Sequence, residues 1–317
     1  MTTLSMVDPA ARALALAFAA FDPSRQPIAD YRAALAELFP AVLPTFEERR
    51  IPGAPGSAPV RVLLHRPPKT AGERLPAILF LHASGFISGT PDMFSAANDA
   101  MAQQHHALVV SVQYRLAPES PFPAALQDAH AALVWLFAQA DALGVDPARI
   151  VVMGESAGGG LAAMLTLLAR DRGGPALAGQ VLVYPMLDPR TGTDDAPVHN
   201  PSTGEFLWTV RHNRFAWAAL RGEAAIEAPW RPYLAPALAS DLRALPPTFI
   251  AVGALDLFLE EDVAYALRLS RAGVRVEAHV YPGGIHGFDF VPCAVSSQYR
   301  ADLAAALTRM LAGAPAA

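Results

Sequence analysis

Apolar residues along this chain gather in short unbroken runs, separated by longer stretches with helical spacing. Residues 76–82, 107–114, 149–153, 180–186 and 247–253 are such runs. Continuous hydrophobicity is what a strand covered on both faces needs, as in a parallel sheet. Residues 46–51, 59–65 and 274–281 read as three further strands, the first two separated by the turn Pro52-Gly53-Ala54-Pro55-Gly56. Between the strands, residues 92–104, 123–144, 161–169, 260–272 and 296–311 read as helices. Alternating strands and helices predict an α/β fold: a mostly parallel, eight-stranded sheet with helices on both faces. Binding sites in such sheets lie at the carboxyl ends of the strands.

Two stretches break the rhythm. Residues 1–45 hold two short helical patterns, around 10–21 and 28–38, punctuated by Pro23, Pro27, Pro40 and Pro44. They precede every strand and are apolar on one face, so they must cover something else, as a lid does. Residues 189–232 begin with polar turns and continue as an aromatic-rich helix containing Phe206, Trp208, Phe215 and Trp217.

Composition narrows the classes. A hydrophobic share of 53% over 317 residues supports a sizeable core, and a net charge of −5 argues against a nucleic-acid partner. The single cysteine, Cys293, excludes an internal disulfide and a cysteine-rich zinc site; it reads as a small buried hydrophobe. No run of 18 apolar residues suggests a membrane span. Only Arg12 precedes the apolar residues 13–21, which is a poor export signal, so a cytoplasmic protein is expected.

The chemistry is carried by Gly154-Glu155-Ser156-Ala157-Gly158, between the run at 149–153 and the helix at 161–169. In a strand–turn–helix context Gly-x-Ser-x-Gly is a nucleophile elbow. Its glycines stand where a Cβ would strike neighbouring backbone, and its serine is raised at a helix N-terminus. A serine hydroxyl needs a base, and the base needs a third group to hold its tautomer. His286, in Gly283-Gly284-Ile285-His286-Gly287-Phe288, follows the last strand; Asp256 follows the strand before it. Asp188 also follows a strand and is a rival for the acid. Glu260, Glu261 and Asp262 open a helix and are explained by its dipole alone. The N–H of Ala157 is one candidate oxyanion donor, and the loop from His82 to Phe86 should supply others.

Together these residues resemble the bacterial hormone-sensitive-lipase-like esterases of the α/β-hydrolase fold. The motifs that carry the resemblance are Gly154 to Gly159, Tyr114-Arg115-Leu116-Ala117-Pro118-Glu119, Pro123-Ala124-Ala125 through Asp128, and His286-Gly287-Phe288. It implies hydrolysis of short-to-medium acyl carboxylic esters by Ser156, His286 and Asp256 through an acyl-serine, without cofactor or metal. An aryl-amide amidase with the same triad is a close variant; a non-catalytic small-molecule receptor is the alternative from another class. The resemblance further implies a body of residues 46–188 and 233–317, with a helical cap from residues 1–45 and 189–232. A homodimer through an edge strand is open to the chain. The family usually has His-Gly-Gly-Gly where this chain has His82-Ala83-Ser84-Gly85. By position Ser84 and Gly85 join Ala157 as backbone oxyanion donors, and Ser84 carries a left-handed backbone cost that glycine avoids. His82 is expected to order the loop, and the Tyr114–Glu119 motif to anchor it. Phe86, Phe206, Trp208 and Phe288 are the candidate pocket residues, with Met93, Phe94, Phe215 and Trp217 behind them.

Overall fold

The computed structural model describes residues 2–18, 21–38, 46–68 and 74–313. Residues 19–20 of the first helical pattern, and the breaks at Pro40 and Pro44, lie outside the described residues. One sheet contains β1 (Glu47–Ile51), β2 (Val60–His65), β3 (Leu75–Leu81), β4 (Leu108–Gln113), β5 (Val145–Glu155), β6 (Gly179–Val183), β7 (Thr248–Gly253) and β8 (Val276–Tyr281). Their order across it is β1-β2-β4-β3-β5-β6-β7-β8. Strand β2 runs antiparallel to both its neighbours, and every other adjacent pair is parallel. The sheet is therefore the mostly parallel, eight-stranded one expected.

Strand alternation divides the core in two. Leu79 and Leu81 of β3 face one side, with α4 (Ala124–Ala138), α6 (Ala157–Asp171) and α8 (Leu259–Arg271) packed on it. Ile78 and Phe80 face the other, under α3 (Ser95–Gln104) and α9 (Ala294–Leu311). Each such side chain is buried to within 1%, which stabilises the fold by roughly 1.5–3 kcal/mol apiece.

Some boundaries differ from the sequence reading. Helix α6 starts at Ala157, not near residue 161, because Gly158, Gly159 and Gly160 lie within it. Their poor helix propensity is overridden by packing: a Cβ on Gly160 would lie 2.2 Å from the Met186 carbonyl oxygen. The long helix at 123–144 is two, α4 and α5 (Ala140–Leu143), the latter ending on left-handed Gly144. Phe206 and Trp208 precede the helix they were assigned to. Thr209 caps α7 (Val210–Arg221), accepting from the His212 N–H, so the helix begins one residue later. Cys293 is not a buried hydrophobe; it is partly exposed and caps α9, its sulfur accepting from the Ser296 N–H at 3.4 Å.

The anchoring role of the Tyr114–Glu119 motif is visible. Arg115 forks onto both oxygens of Asp128 at 2.8 Å, and the Ala117 N–H donates to the Phe86 carbonyl at 2.9 Å. Glu119 takes two bonds from Arg32 of α2 (Ile28–Leu38), which also reaches the Ile87 carbonyl at 2.7 Å. An N-terminal helix is thereby tied to the loop after β3. Farther upstream, Val7, with Ala11 and Ala15 of the turn and helix that end in α1 (Arg12–Ala17), packs on Leu255 and Ile285. Among the described residues no helix is long and apolar enough to cross a membrane.

Candidate active site

Strand β5 ends at Glu155 and α6 begins at Ala157, so Ser156 makes the whole turn alone. Its φ of 53° and ψ of −119° are strained for a side-chain-bearing residue. The surroundings hold it there. The Ser156 N–H donates to the Val183 carbonyl at 2.8 Å, and its own carbonyl accepts from Gly160 and Met186. The glycines are needed as the elbow predicts. A Cβ on Gly154 would stand 2.1 Å from the Gly158 carbonyl oxygen, and one on Gly158 2.0 Å from that of Leu81.

Asp256 follows β7 and His286 follows β8. The parallel pairing of those strands brings their loops together. The Leu255 N–H donates to the Gly284 carbonyl at 2.8 Å, and a Cβ on Gly253 would strike that same oxygen. Ser156 Oγ lies 2.9 Å from His286 Nε2, and His286 Nδ1 lies 2.8 Å from Asp256 Oδ2. The other Asp256 oxygen accepts from the Phe258 N–H at 2.9 Å. With the acid ionised, Nδ1 carries the ring hydrogen and Nε2 is left to accept from the serine hydroxyl. All three groups are buried, and Tyr184, Phe258 and Trp208 surround the imidazole. That shell keeps water off the histidine and strengthens its pairing. Asp188 is elsewhere: its carboxylate is forked by Arg190 at 2.7 Å, and among the described residues no hydrogen bond joins it to His286. Glu261 does more than offset a dipole. It is buried and accepts from the Leu187 and Asp188 N–H groups, which fastens the turn after β6 to α8.

Ser84, Gly85 and Phe86 all have left-handed backbone, with φ of 112°, 66° and 64°. Gly85 permits the approach of Trp208, whose ring would lie 2.2 Å from any Cβ there. The Ser84, Gly85 and Ala157 N–H groups donate to no backbone partner among the described residues. His82 orders this loop from beneath. It is fully buried, stacks on Tyr114 at 4.2 Å, and bonds the Ala83 carbonyl through Nδ1 at 2.9 Å.

Burial pushes the His82 imidazole from its ordinary 6.5 down to about 4. A depressed histidine stays neutral in the fold while the unfolded chain takes a proton. Its contribution to stability is therefore full above about 6.5 and is lost as pH falls toward 4. The penalty for His82→Gln, measured by urea unfolding, should accordingly shrink between pH 7 and pH 4.5 by about 2–3 kcal/mol. An unchanging penalty would mean that His82 takes up a proton as readily in the fold as in the unfolded chain.

A cavity of about 310 Å³ opens over the serine. It is lined by Trp208, Met93 and Phe94, as the sequence suggested, but not by Phe86, Phe206 or Phe288. Phe86 packs inward toward Trp217, Phe206 packs on the N-terminal cluster, and Phe288 is buried behind the histidine against Tyr184 and Tyr299. Leu207 and Phe290 take the places expected of Phe206 and Phe288. The remaining apolar wall is Phe18, Phe21, Tyr31 and Leu35 from the N-terminal segment. His212 also faces the cavity, bonded to the Phe21 carbonyl at 2.5 Å and to Thr209 at 2.7 Å, so it joins the N-terminal segment to residues 189–232. Glu155, Asp289 and Arg300 add charged groups to the wall, and the sequence reading had singled out none of them.

Comparison with known proteins agrees with this geometry. A family model described as alpha/beta hydrolase fold matches residues 78–290. Carboxylesterase NlhH of Mycobacterium tuberculosis is 36% identical over 256 residues, 78% of this chain and 77% of that protein. Esterase LipI of the same organism is 36% identical over 243 residues, 73% of this chain and 72% of its own length. A solved structure described as a bacterial heroin esterase superposes with a TM-score of 0.89 at 35% identity, covering 98% of this chain and 99% of that one.

Proposed function

The chain belongs to the hormone-sensitive-lipase-like esterases of the α/β-hydrolase fold and is a carboxylic ester hydrolase; from that premise we propose that Ser156, His286 and Asp256 are its catalytic triad. The observation that carries the reading is the continuous bonding from Ser156 Oγ through the imidazole to Asp256, at the floor of a largely apolar cavity. Ser156 Oγ attacks the ester carbonyl carbon while its proton passes to His286 Nε2. The N–H groups of Ser84, Gly85 and Ala157 hold the oxyanion. Collapse breaks the bond to the alcohol oxygen, which leaves with the proton from Nε2. Water then gives its proton to the same nitrogen and attacks the acyl-serine, and the carboxylic acid departs as Oγ is reprotonated. Asp256 stabilises the imidazolium in both halves without itself taking the proton.

The N-terminal helices and residues 189–232 act together as the cap, since both line the cavity and His212 joins them. Edge strand β8, with Val280 largely exposed, is the surface through which a homodimer would form.

Short-to-medium acyl esters are the substrates the cavity supports. Its 310 Å³ is at the small end for ligand sites, room for roughly ten water-sized groups. Across a series of p-nitrophenyl esters, kcat/KM should therefore peak between butyrate and octanoate and fall at least about tenfold by palmitate. Equal turnover of butyrate and palmitate would reject the chain-length reading; hydrolysis of none of them would reject the triad.

A further inference from the structure

The cavity wall beside the serine carries two carboxyl groups that ester cleavage does not use. Glu155 immediately precedes Ser156, and Asp289 follows His286 by three residues; both line the cavity. Glu155 is only 9% exposed, and no donor among the described residues bonds its carboxyl. Asp289 accepts one bond in its side chain, from the Tyr184 hydroxyl at 2.8 Å. Burial, and then the charge of Asp289, push Glu155 up; burial also pushes Asp289 up, against the opposing pull of the Tyr184 hydroxyl and of Arg300. The other groups facing the pair are Tyr184, Tyr299, His286 and Arg300. Arg300 is exposed and bonds the main-chain oxygen of Asp289 at 2.7 Å, so neither carboxyl is forked by a cation. Arg300 also lines the cavity; the rest of the wall is largely apolar and carries the aromatic rings of Phe18, Phe21, Phe94, Trp208 and Phe290.

Glu155, buried with no bonded cation, is costly to ionise, and the charge of the half-buried Asp289 adds to that cost. A protonated amine is the counter-charge that lets both groups ionise, and aromatic faces add attraction of their own. A carboxylate on the substrate would be repelled by the same pair. Building on the esterase reading above, we propose that Glu155 and Asp289 form a cation subsite that selects esters bearing a protonated amine close to the ester group. Binding releases a proton from the pair to solvent, and the ester is then cleaved as described.

Two pairs of matched substrates test this at pH 7. One sets 2-(dimethylamino)ethyl butyrate against 3-methylbutyl butyrate, with the amine on the alcohol side. The other sets ethyl 4-(dimethylamino)butanoate against ethyl 5-methylhexanoate, with the amine on the acyl side. In each pair nitrogen replaces one carbon. The wild-type enzyme should favour the amine in at least one pair by about tenfold or more in kcat/KM. Glu155→Gln combined with Asp289→Asn should bring that ratio to about one. A wild-type ratio of one or below in both pairs, with the neutral esters hydrolysed, overturns the subsite and leaves the esterase reading standing. So does a double variant that keeps the wild-type ratio. Failure to hydrolyse any of the four esters overturns the esterase reading itself. The wild-type ratios need no variant, so they decide the matter if the double variant does not fold.

Discussion

Replacing Ser156 with alanine should lower kcat for p-nitrophenyl butyrate about a million-fold, because a triad acts as a unit and nothing else within reach can form the acyl intermediate. The residual rate would come from the oxyanion donors and from binding alone. Stability should hardly change. Alanine must adopt the same strained φ of 53°, so no strain is gained or relieved. The Ser156 backbone bonds to Val183, Gly160 and Met186 do not involve the hydroxyl. What is lost is one side-chain hydrogen bond to His286, about 1 kcal/mol, visible as a fall in Tm of about 1–2 °C. A variant that melts like the wild type yet keeps more than about a hundredth of its kcat would remove Ser156 from the nucleophile's role. The same measurement separates an enzyme from a receptor on this fold, since a receptor would have no turnover to lose.

That Ser156, His286 and Asp256 would be brought together was legible because each stands at a place with its own sequence signal. Ser156 lies in a glycine-framed turn between an apolar run and a helix, and Asp256 and His286 follow apolar strands among glycines. Parallel pairing of β7 with β8 does the rest, since neighbouring carboxyl ends must converge. The pocket wall was less legible, for two physical reasons. Phe18, Phe21, Tyr31 and Leu35 reach the serine only through the tertiary placement of the N-terminal segment, and no local pattern encodes that. Leu207 displaces Phe206 because it has a φ of 53°, which turns successive side chains out of any regular alternation. A non-glycine residue in that region is chosen by its surroundings, here by the close seat of Gly287 against the Leu207 side chain. The same limit applied to Ser84: its left-handed φ could be expected from the position it shares with a glycine-rich loop, but not that Trp208 would close over Gly85.

Buried carboxyls were misread for a related reason. Glu261 sits in the first turn of α8, where a dipole argument suffices. Only the fold shows that the turn after β6 arrives there and donates two N–H groups to it. Asp262, beside it, is fully buried with neither oxygen bonded among the described residues, and burial pushes it well up. A helix-start pattern cannot separate those two neighbours from the partly exposed Glu260, because all three satisfy it equally.

The second large effect concerns the elbow's own architecture. Gly158→Ala should destabilise the protein by about 3 kcal/mol or more, even though alanine favours a helix over glycine by up to about 1 kcal/mol. The sign reverses because of what the new methyl would meet. A Cβ on Gly158 lies 2.0 Å from the Leu81 carbonyl oxygen and 2.5 Å from that of His82. Neither can retreat. Leu81 is paired with Val112 on one side and Gly154 on the other, and the His82 carbonyl takes the Tyr114 hydroxyl at 2.7 Å. Moving α6 away instead would pull Ser156 from His286 and Ala157 from the oxyanion position, so activity should fall with stability. Gly144→Ala is the control. Its φ of 69° makes alanine cost about 1–2 kcal/mol, but nothing lies within 4 Å of the added carbon. Urea unfolding of the two variants should therefore rank Gly158→Ala well below Gly144→Ala in stability. The opposite order would mean that α6 is not seated against the end of β3, and with it the close approach that lifts the serine would be lost as an explanation.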